Sequence, residues 1–146
     1  MKILFVCSGN TCRSPMAQMI FQKIAAERNL NAECKSAGIA AYTGSPASDN
    51  SVAALKEIGI NLSDFRSTSI TALLPTLSEF DLFVPMTYTH AMALVQLGVE
   101  KKKIYLFESD VSDPYGGDLN VYRETRDELV KKLETLADFV ENIENK

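Results

Sequence analysis

Eight residues near the start of the chain carry the chemistry: Cys7, Ser8, Gly9, Asn10, Thr11, Cys12, Arg13 and Ser14. A thiol and a guanidinium stand five residues apart, between a predicted strand and a predicted helix. Five residues are enough for the backbone to curl so that successive N–H groups point inward as an anion nest. The helix that follows adds the positive end of its dipole. Gly9 is expected to allow close backbone approach, and Asn10 is a residue type that tolerates a left-handed backbone. Arg13 supplies a planar fork that grips two oxygens of a tetrahedral anion, a geometry lysine lacks. A free thiol is only a few per cent thiolate at neutral pH, and the field that binds the anion also favours an ionised Cys7 sulfur. Ser14 is placed to donate a hydrogen bond to that sulfur and help it leave. By itself a cysteine ending a buried strand is ordinary core filler. What lifts Cys7 above that reading is the complete loop around it.

The elements that must position this loop follow from the apolar pattern. Lys2 to Val6 is a short branched and aromatic run, the signature of a buried strand. Pro15 suits the first turn of a helix, in which Met16, Ile20 and Ile24 recur with Ala17, Phe21 and Ala25, and Asn29 marks its stop. Ala32 to Lys35 reads as a second strand. Ser45-Pro46 reads as the start of a helix carrying Val52, Leu55 and Ile58 and closed by Gly59. Asp64 to Leu77 is expected to form one or two short helices broken at Pro75. Asp81 to Val84 is a strand, Thr87 to Leu97 a helix ended by Gly98, and Ile104 to Phe107 a fourth strand. A polar loop from Glu108 to Leu119 leads into a long amphipathic helix through Val121, Leu129, Val130, Leu133, Leu136, Ala137 and Val140. Strands alternating with helices predict one α/β domain over residues 1–146. It has a mostly parallel central sheet of about four strands, helices on both faces, and the anion loop after the first strand. Ligands in such sheets bind beyond the carboxyl ends of the strands. The Cys7 loop and the Asp113 loop are therefore expected on one rim.

Composition narrows the function. With 146 residues, 46% apolar and 23% charged, the chain is an ordinary globular one. Its net charge of −4 and lack of a dense basic run argue against a nucleic-acid partner. The first apolar run is too short for a signal peptide or a membrane span, and three cysteines without an export signal predict free thiols in the cytoplasm. With a single histidine and no ligand-spaced cysteines, neither a metal nor another cofactor is expected. There is no Gly-x-Gly-x-x-Gly after the first strand and no Gly-Lys-Ser/Thr, which excludes dinucleotide-binding and nucleotide-hydrolysing loops.

The run from Cys7 to Pro15 resembles the phosphate-binding loop of the low-molecular-weight protein-tyrosine phosphatases. The resemblance extends along the chain through Ser36-Ala37-Gly38, Gly44-Ser45-Pro46-Ala47, Gly59-Ile60-Asn61-Leu62, Arg66-Ser67 and Asp113-Pro114-Tyr115. It implies a metal-independent phosphatase acting on phosphorylated proteins through a Cys7 thiophosphate, with Arg13 and the loop amides stabilising charge. It assigns the proton for the leaving oxygen to Asp113, which would then activate water; Asp110 and Asp118 are nearby alternatives. Ser36 matches a serine that bonds the loop asparagine, here Asn10, and Tyr42 and Tyr115 match aromatic walls around a phosphotyrosine ring. Cys12 matches a thiol able to trap an oxidised Cys7 as a disulfide; its alternative is a small buried thiol. No oligomeric partner is implied, and a monomer is the working expectation.

Two positions depart from the wider family. Thr11 replaces a bulky aliphatic residue and resembles the branch that acts on protein phosphoarginine, whereas the aromatic walls favour phosphotyrosine, the reading the wider family puts first. Phe65 stands where many relatives have histidine. A thiol-dependent arsenate reductase on the same scaffold would need relay cysteines, and residues 80–100 contain none. A non-catalytic phosphoprotein-binding module would have lost the nucleophile, the arginine or the acid, and all three are present. Cys34 is expected in the core, and His90 is expected to be a surface or internally satisfied residue.

Overall fold

The computed structural model describes residues 1–145. The first strand, β1 (Lys2–Cys7), is apolar at every position after Lys2 because both of its faces are covered. It lies at the centre of a three-stranded parallel sheet of order β2-β1-β3, between β2 (Glu33–Gly38) and β3 (Leu82–Pro85). Alternation along β1 divides the core. Ile3, Phe5 and Cys7 face a layer built from α1 (Arg13–Glu27), α2 (Asp49–Lys56) and α4 (Leu119–Glu144). Leu4 and Val6 face Ile70, Leu77, Phe80, Phe83 and Leu94 on the other side, contributed by a 3₁₀ segment (Ile70–Glu79) and the Phe80 that caps it, β3 and α3 (Tyr88–Gln96). Phe5 is fully buried, with its ring centroid 5.8 Å from that of Phe21 on α1. Each such side chain contributes about 1.5–3 kcal/mol of transfer free energy, so β1 is anchored from both sides. The predicted parallel α/β architecture is the observed one.

Three local expectations change. The segment Ile104 to Phe107 is not a fourth strand: it makes one bridge, Phe83 to Ile104, and one hydrogen bond, Tyr105 N–H to Phe83 O at 2.9 Å. Pro85 ends β3 without an N–H, so the ladder cannot continue on that edge. The second helix starts after Ser48, whose hydroxyl accepts the Ser51 N–H, rather than at Ser45-Pro46, where Pro46 pairs with Arg66. Between Asp64 and Ile70 the chain is not helical; Ser69 bridges Gly38 at the end of β2, and the 3₁₀ segment then runs through Pro75 without a break. Phe65 packs against the main core. No helix among the described residues is long and apolar enough to cross a membrane.

Candidate active site

All three strands end at one rim, and the turn after β1 curls over it. The turn is tied from outside: Ile39 N–H bonds Cys7 O and Ala40 N–H bonds Ser8 O, each at 2.9 Å. Gly38 makes this possible, because a Cβ there would run into the Ser8 carbonyl and sit 3.0 Å from the Asn10 nitrogen. The close approach expected of Gly9 thus belongs to Gly38; a Cβ on Gly9 would meet only Thr11 Oγ1, at an ordinary 3.7 Å. Asn10 adopts the left-handed backbone, with φ of 54°.

Asn10 also orders the protons of the site. Its Oδ1 accepts the Thr68 N–H at 2.8 Å, which fixes the amide orientation. Its Nδ2 therefore donates to Ser14 Oγ at 2.8 Å and to Ser36 Oγ at 3.0 Å. Ser36 passes its own proton to Gln18 Oε1 at 2.7 Å. Ser14, already an acceptor, is left to donate to Cys7 Sγ at 2.8 Å. The Asn10 N–H approaches the same sulfur at 3.2 Å. Two donors thus converge on a buried sulfur, an arrangement that suits a negative charge there.

Cys12 precedes α1 and gives that helix no side-chain cap. Its thiol is 3.4 Å from Ser48 Oγ and 3.3 Å from the Tyr122 hydroxyl. Burial and the Cys12 contact push the Tyr122 hydroxyl up to about 12. The first amides of α1 thus receive no cap from the Cys12 side chain, and a helix N-terminus of this kind favours an anion. Arg13 is buried; its Nη1 donates to Val111 O at 3.4 Å, and its Nη2 lies 3.7 Å from Asp113 Oδ2.

These groups line a cavity of about 250 Å³, bounded by the loop from Cys7 to Arg13 together with Asp113 and Tyr115. Of the three candidate acids, only Asp113 reaches it. Asp110 accepts the Tyr88 N–H at 2.9 Å, and Asp118 caps α4 through the Val121 N–H at 3.1 Å. Asp113 itself is held in a turn by the Tyr115 N–H at 3.1 Å. Tyr42, expected as a second wall, is 85% exposed and does not line the cavity. Ser14 and Ser36 are buried and do not line the cavity.

Such a geometry has relatives. The family model described as low molecular weight phosphotyrosine protein phosphatase matches residues 2–146. The chain belongs to this family. A protein-arginine-phosphatase of Bacillus subtilis (strain 168) is 38% identical over 145 residues, covering 94% of this chain and 95% of that protein. The low molecular weight protein-tyrosine-phosphatase PtpB of Staphylococcus aureus is 32% identical, covering 96% and 99%. Among solved structures, a low molecular weight protein tyrosine phosphatase from T. tengcongensis is similar at a TM-score of 0.87 and 41% identity, covering 94% of this chain and 98% of that one. A YwlE arginine phosphatase, a C7S mutant with a phosphorylated active-site serine, is similar at 0.88 and 37%, covering 97% and 96%.

Against this low molecular weight phosphatase frame, sequence reasoning missed two contributors. Thr68 lies in the stretch expected to be helical, and only the tertiary fold brings its N–H to Asn10. His90 is 6% exposed with Nε2 2.8 Å from Ser8 Oγ and Nδ1 2.9 Å from Thr87 Oγ1. The signal that could have found it is its place in the first turn of the helix after β3, on the rim that holds the loop. Burial, then the nearby Arg13 charge, pushes the imidazole down to about 4, so it is neutral at pH 7.

Proposed function

We propose that this protein is a metal-independent cysteine phosphatase of phosphorylated proteins. The Cys7 thiolate attacks phosphorus, the bond from phosphorus to the leaving atom breaks, and Asp113 gives that atom its proton. Asp113, now a carboxylate, takes a proton from water; the resulting hydroxide displaces the Cys7 sulfur and releases phosphate. Arg13 and the loop amides hold the equatorial oxygens throughout. The observation that carries this reading is the convergence of the Ser14 hydroxyl and the Asn10 N–H on one buried sulfur, in a cavity that also presents Arg13 and Asp113. The phosphorylated active-site serine of the YwlE relative supports a covalent intermediate at the matching position. Hydrolysis of para-nitrophenyl phosphate with chelator present, inhibited by vanadate, is the expected result; a chain that shows neither is a binding module.

Two specific observations favour phosphoarginine over phosphotyrosine as the protein substrate. Thr11 lines the cavity and offers a hydroxyl to a guanidinium, while Tyr42 leaves the expected aromatic sandwich incomplete. Pocket hydrogen bonds discriminate strongly between substrates of similar size. Two arginine phosphatases at 38% and 36% identity support the same choice. Parallel kinetics on phosphoarginine and phosphotyrosine peptides test it: Thr11→Ile should shift preference toward tyrosine, and an unchanged ratio removes Thr11 from the argument.

Cys12 shares the cavity with Cys7, which supports a protective role. Peroxide converts the Cys7 thiolate to a sulfenic acid, and the Cys12 thiol condenses with it to a disulfide, releasing water. Peroxide inactivation should then be reversed by dithiothreitol, whereas in Cys12→Ser a second peroxide should carry the untrapped sulfenic acid to a sulfinic acid that dithiothreitol does not reduce. Free cysteines at all three positions support a reducing cytoplasmic setting, and a monomer is sufficient for the reaction.

A further inference from the structure

His90 is the only histidine in the chain, and nothing in the two-step reaction above employs it. Its surroundings nevertheless form a continuous line from the helix after β3 to the residue that follows the nucleophile. The Thr87 hydroxyl caps α3 by accepting the His90 N–H at 3.2 Å, and the same oxygen lies 2.9 Å from Nδ1. Nε2, on the far side of the ring, lies 2.8 Å from Ser8 Oγ. Ser8 lines the cavity, and its carbonyl is fixed by the Ala40 N–H at 2.9 Å. The backbone there is set, so what remains free is the direction of the serine proton.

We propose that His90 is a positioning residue of the phosphate-binding loop: its Nε2–H donates to the Ser8 hydroxyl and so turns the serine proton into the cavity, toward an oxygen of the bound phosphoryl group. The proposal rests on the phosphatase reading of the Cys7 site. Thr87 Oγ1 spends one lone pair on the backbone N–H and keeps its proton for Nδ1. A ring that accepts at Nδ1 carries its single proton at Nε2, and Ser8 becomes the acceptor. The serine proton is then left for an anion in the cavity, and every polar hydrogen in the line has a partner once that anion binds. The arrangement requires a neutral ring, since an imidazolium would donate from both nitrogens and reverse the Thr87 bond. Around the ring, Arg13 opposes a positive charge, while Asp110 and Asp113 favour one less strongly than burial and Arg13 oppose it.

A single histidine lets the test be read without assignment. Nitrogen-15 correlation spectra of the full chain at neutral pH should show a pyridine-like Nδ1 and a pyrrole-like Nε2. Inorganic phosphate should shift the Nε2–H resonance in wild type but not in Ser8→Ala. In kinetics on an aryl phosphate, Ser8→Ala and His90→Phe should each lower kcat/KM about tenfold, the scale of one hydrogen bond to a charged group. The double variant should lose no more than either single one. His90→Gln, whose amide can donate to Ser8, should recover part of the loss. A ring protonated at Nδ1, or losses that multiply in the double variant, would overturn the proposal. Should His90→Phe fail to fold, the wild-type tautomer and the phosphate shift in Ser8→Ala still decide it. The tautomer is read without turnover, so an inactive wild type counts against the phosphatase reading alone.

Discussion

Cys7 and Cys34 lie on adjacent strands of one sheet and are buried to the same degree, each 3% exposed, yet their surroundings are opposites. Cys34 sits near the amino end of β2, away from the rim, where burial pushes its thiol up to about 12, so it stays protonated at any physiological pH. Cys7 sits at the carboxyl end of β1, where the Ser14 hydroxyl and the Asn10 N–H both point at its sulfur and Arg13 lines the same cavity. Burial therefore does not decide whether a cysteine is inert. The donors that come with burial decide it, and those gather at strand ends, where backbone amides are released from the ladder.

The contrast can be broken most severely at the sulfur itself. Cys7→Ser should abolish aryl-phosphate turnover, while Cys34→Ala should leave kcat unchanged and cost about 1 kcal/mol in urea unfolding, the ordinary size of a core truncation. Equal loss of activity in both variants would erase the distinction. Alkylation gives a sharper view: iodoacetamide at neutral pH should label Cys7 first, inorganic phosphate should protect it, and Cys34 should react only after denaturation. Removing the donors rather than the sulfur comes next. Asn10→Ala deletes three side-chain hydrogen bonds and puts alanine in a left-handed backbone, so it should cost about 3–5 kcal/mol of stability and leave Ser14 free to turn away from the sulfur.

The smallest expected effect is in acid. His90 is held at about 4 in the folded protein, below the value near 6.5 of an unfolded histidine. The unfolded chain therefore binds the extra proton first. Stability present above pH 6.5 is lost as pH falls from there through about 4. Glu57, lowered to about 2 by its hydrogen bonds with Arg123 and Arg126, adds a further loss that begins only below about pH 4.5. Urea midpoints at pH 7, 6 and 5, above the Glu57 range, should decline in wild type, and that decline should vanish in His90→Gln.

Much of the site was legible as a string because its parts are local. Cys7, Asn10, Arg13 and Ser14 fall within one turn, so their spacing specifies their geometry once a strand precedes and a helix follows. The role of Asp113 is legible only through resemblance; its neighbours Asp110 and Asp118, lesser alternatives because neither precedes a proline, are removed by packing, their carboxylates bonding the Tyr88 and Val121 amides. Thr68 and His90 were not legible, since each meets the loop across a separation of more than 50 residues. Gly38 is the intermediate case: its motif was visible, but its reason, the Ser8 carbonyl lying against it, is a property of packing.

The parallel α/β framework and the anion-binding turn are written in the chain, because apolar periodicity and a five-residue spacing are local physical constraints. Packing across the fold settles which aspartate lines the cavity, which glycine must stay bare, and which buried thiol receives donors. Those choices depend on groups that meet only when the ends of separate strands are brought to one rim, and no local spacing encodes that meeting.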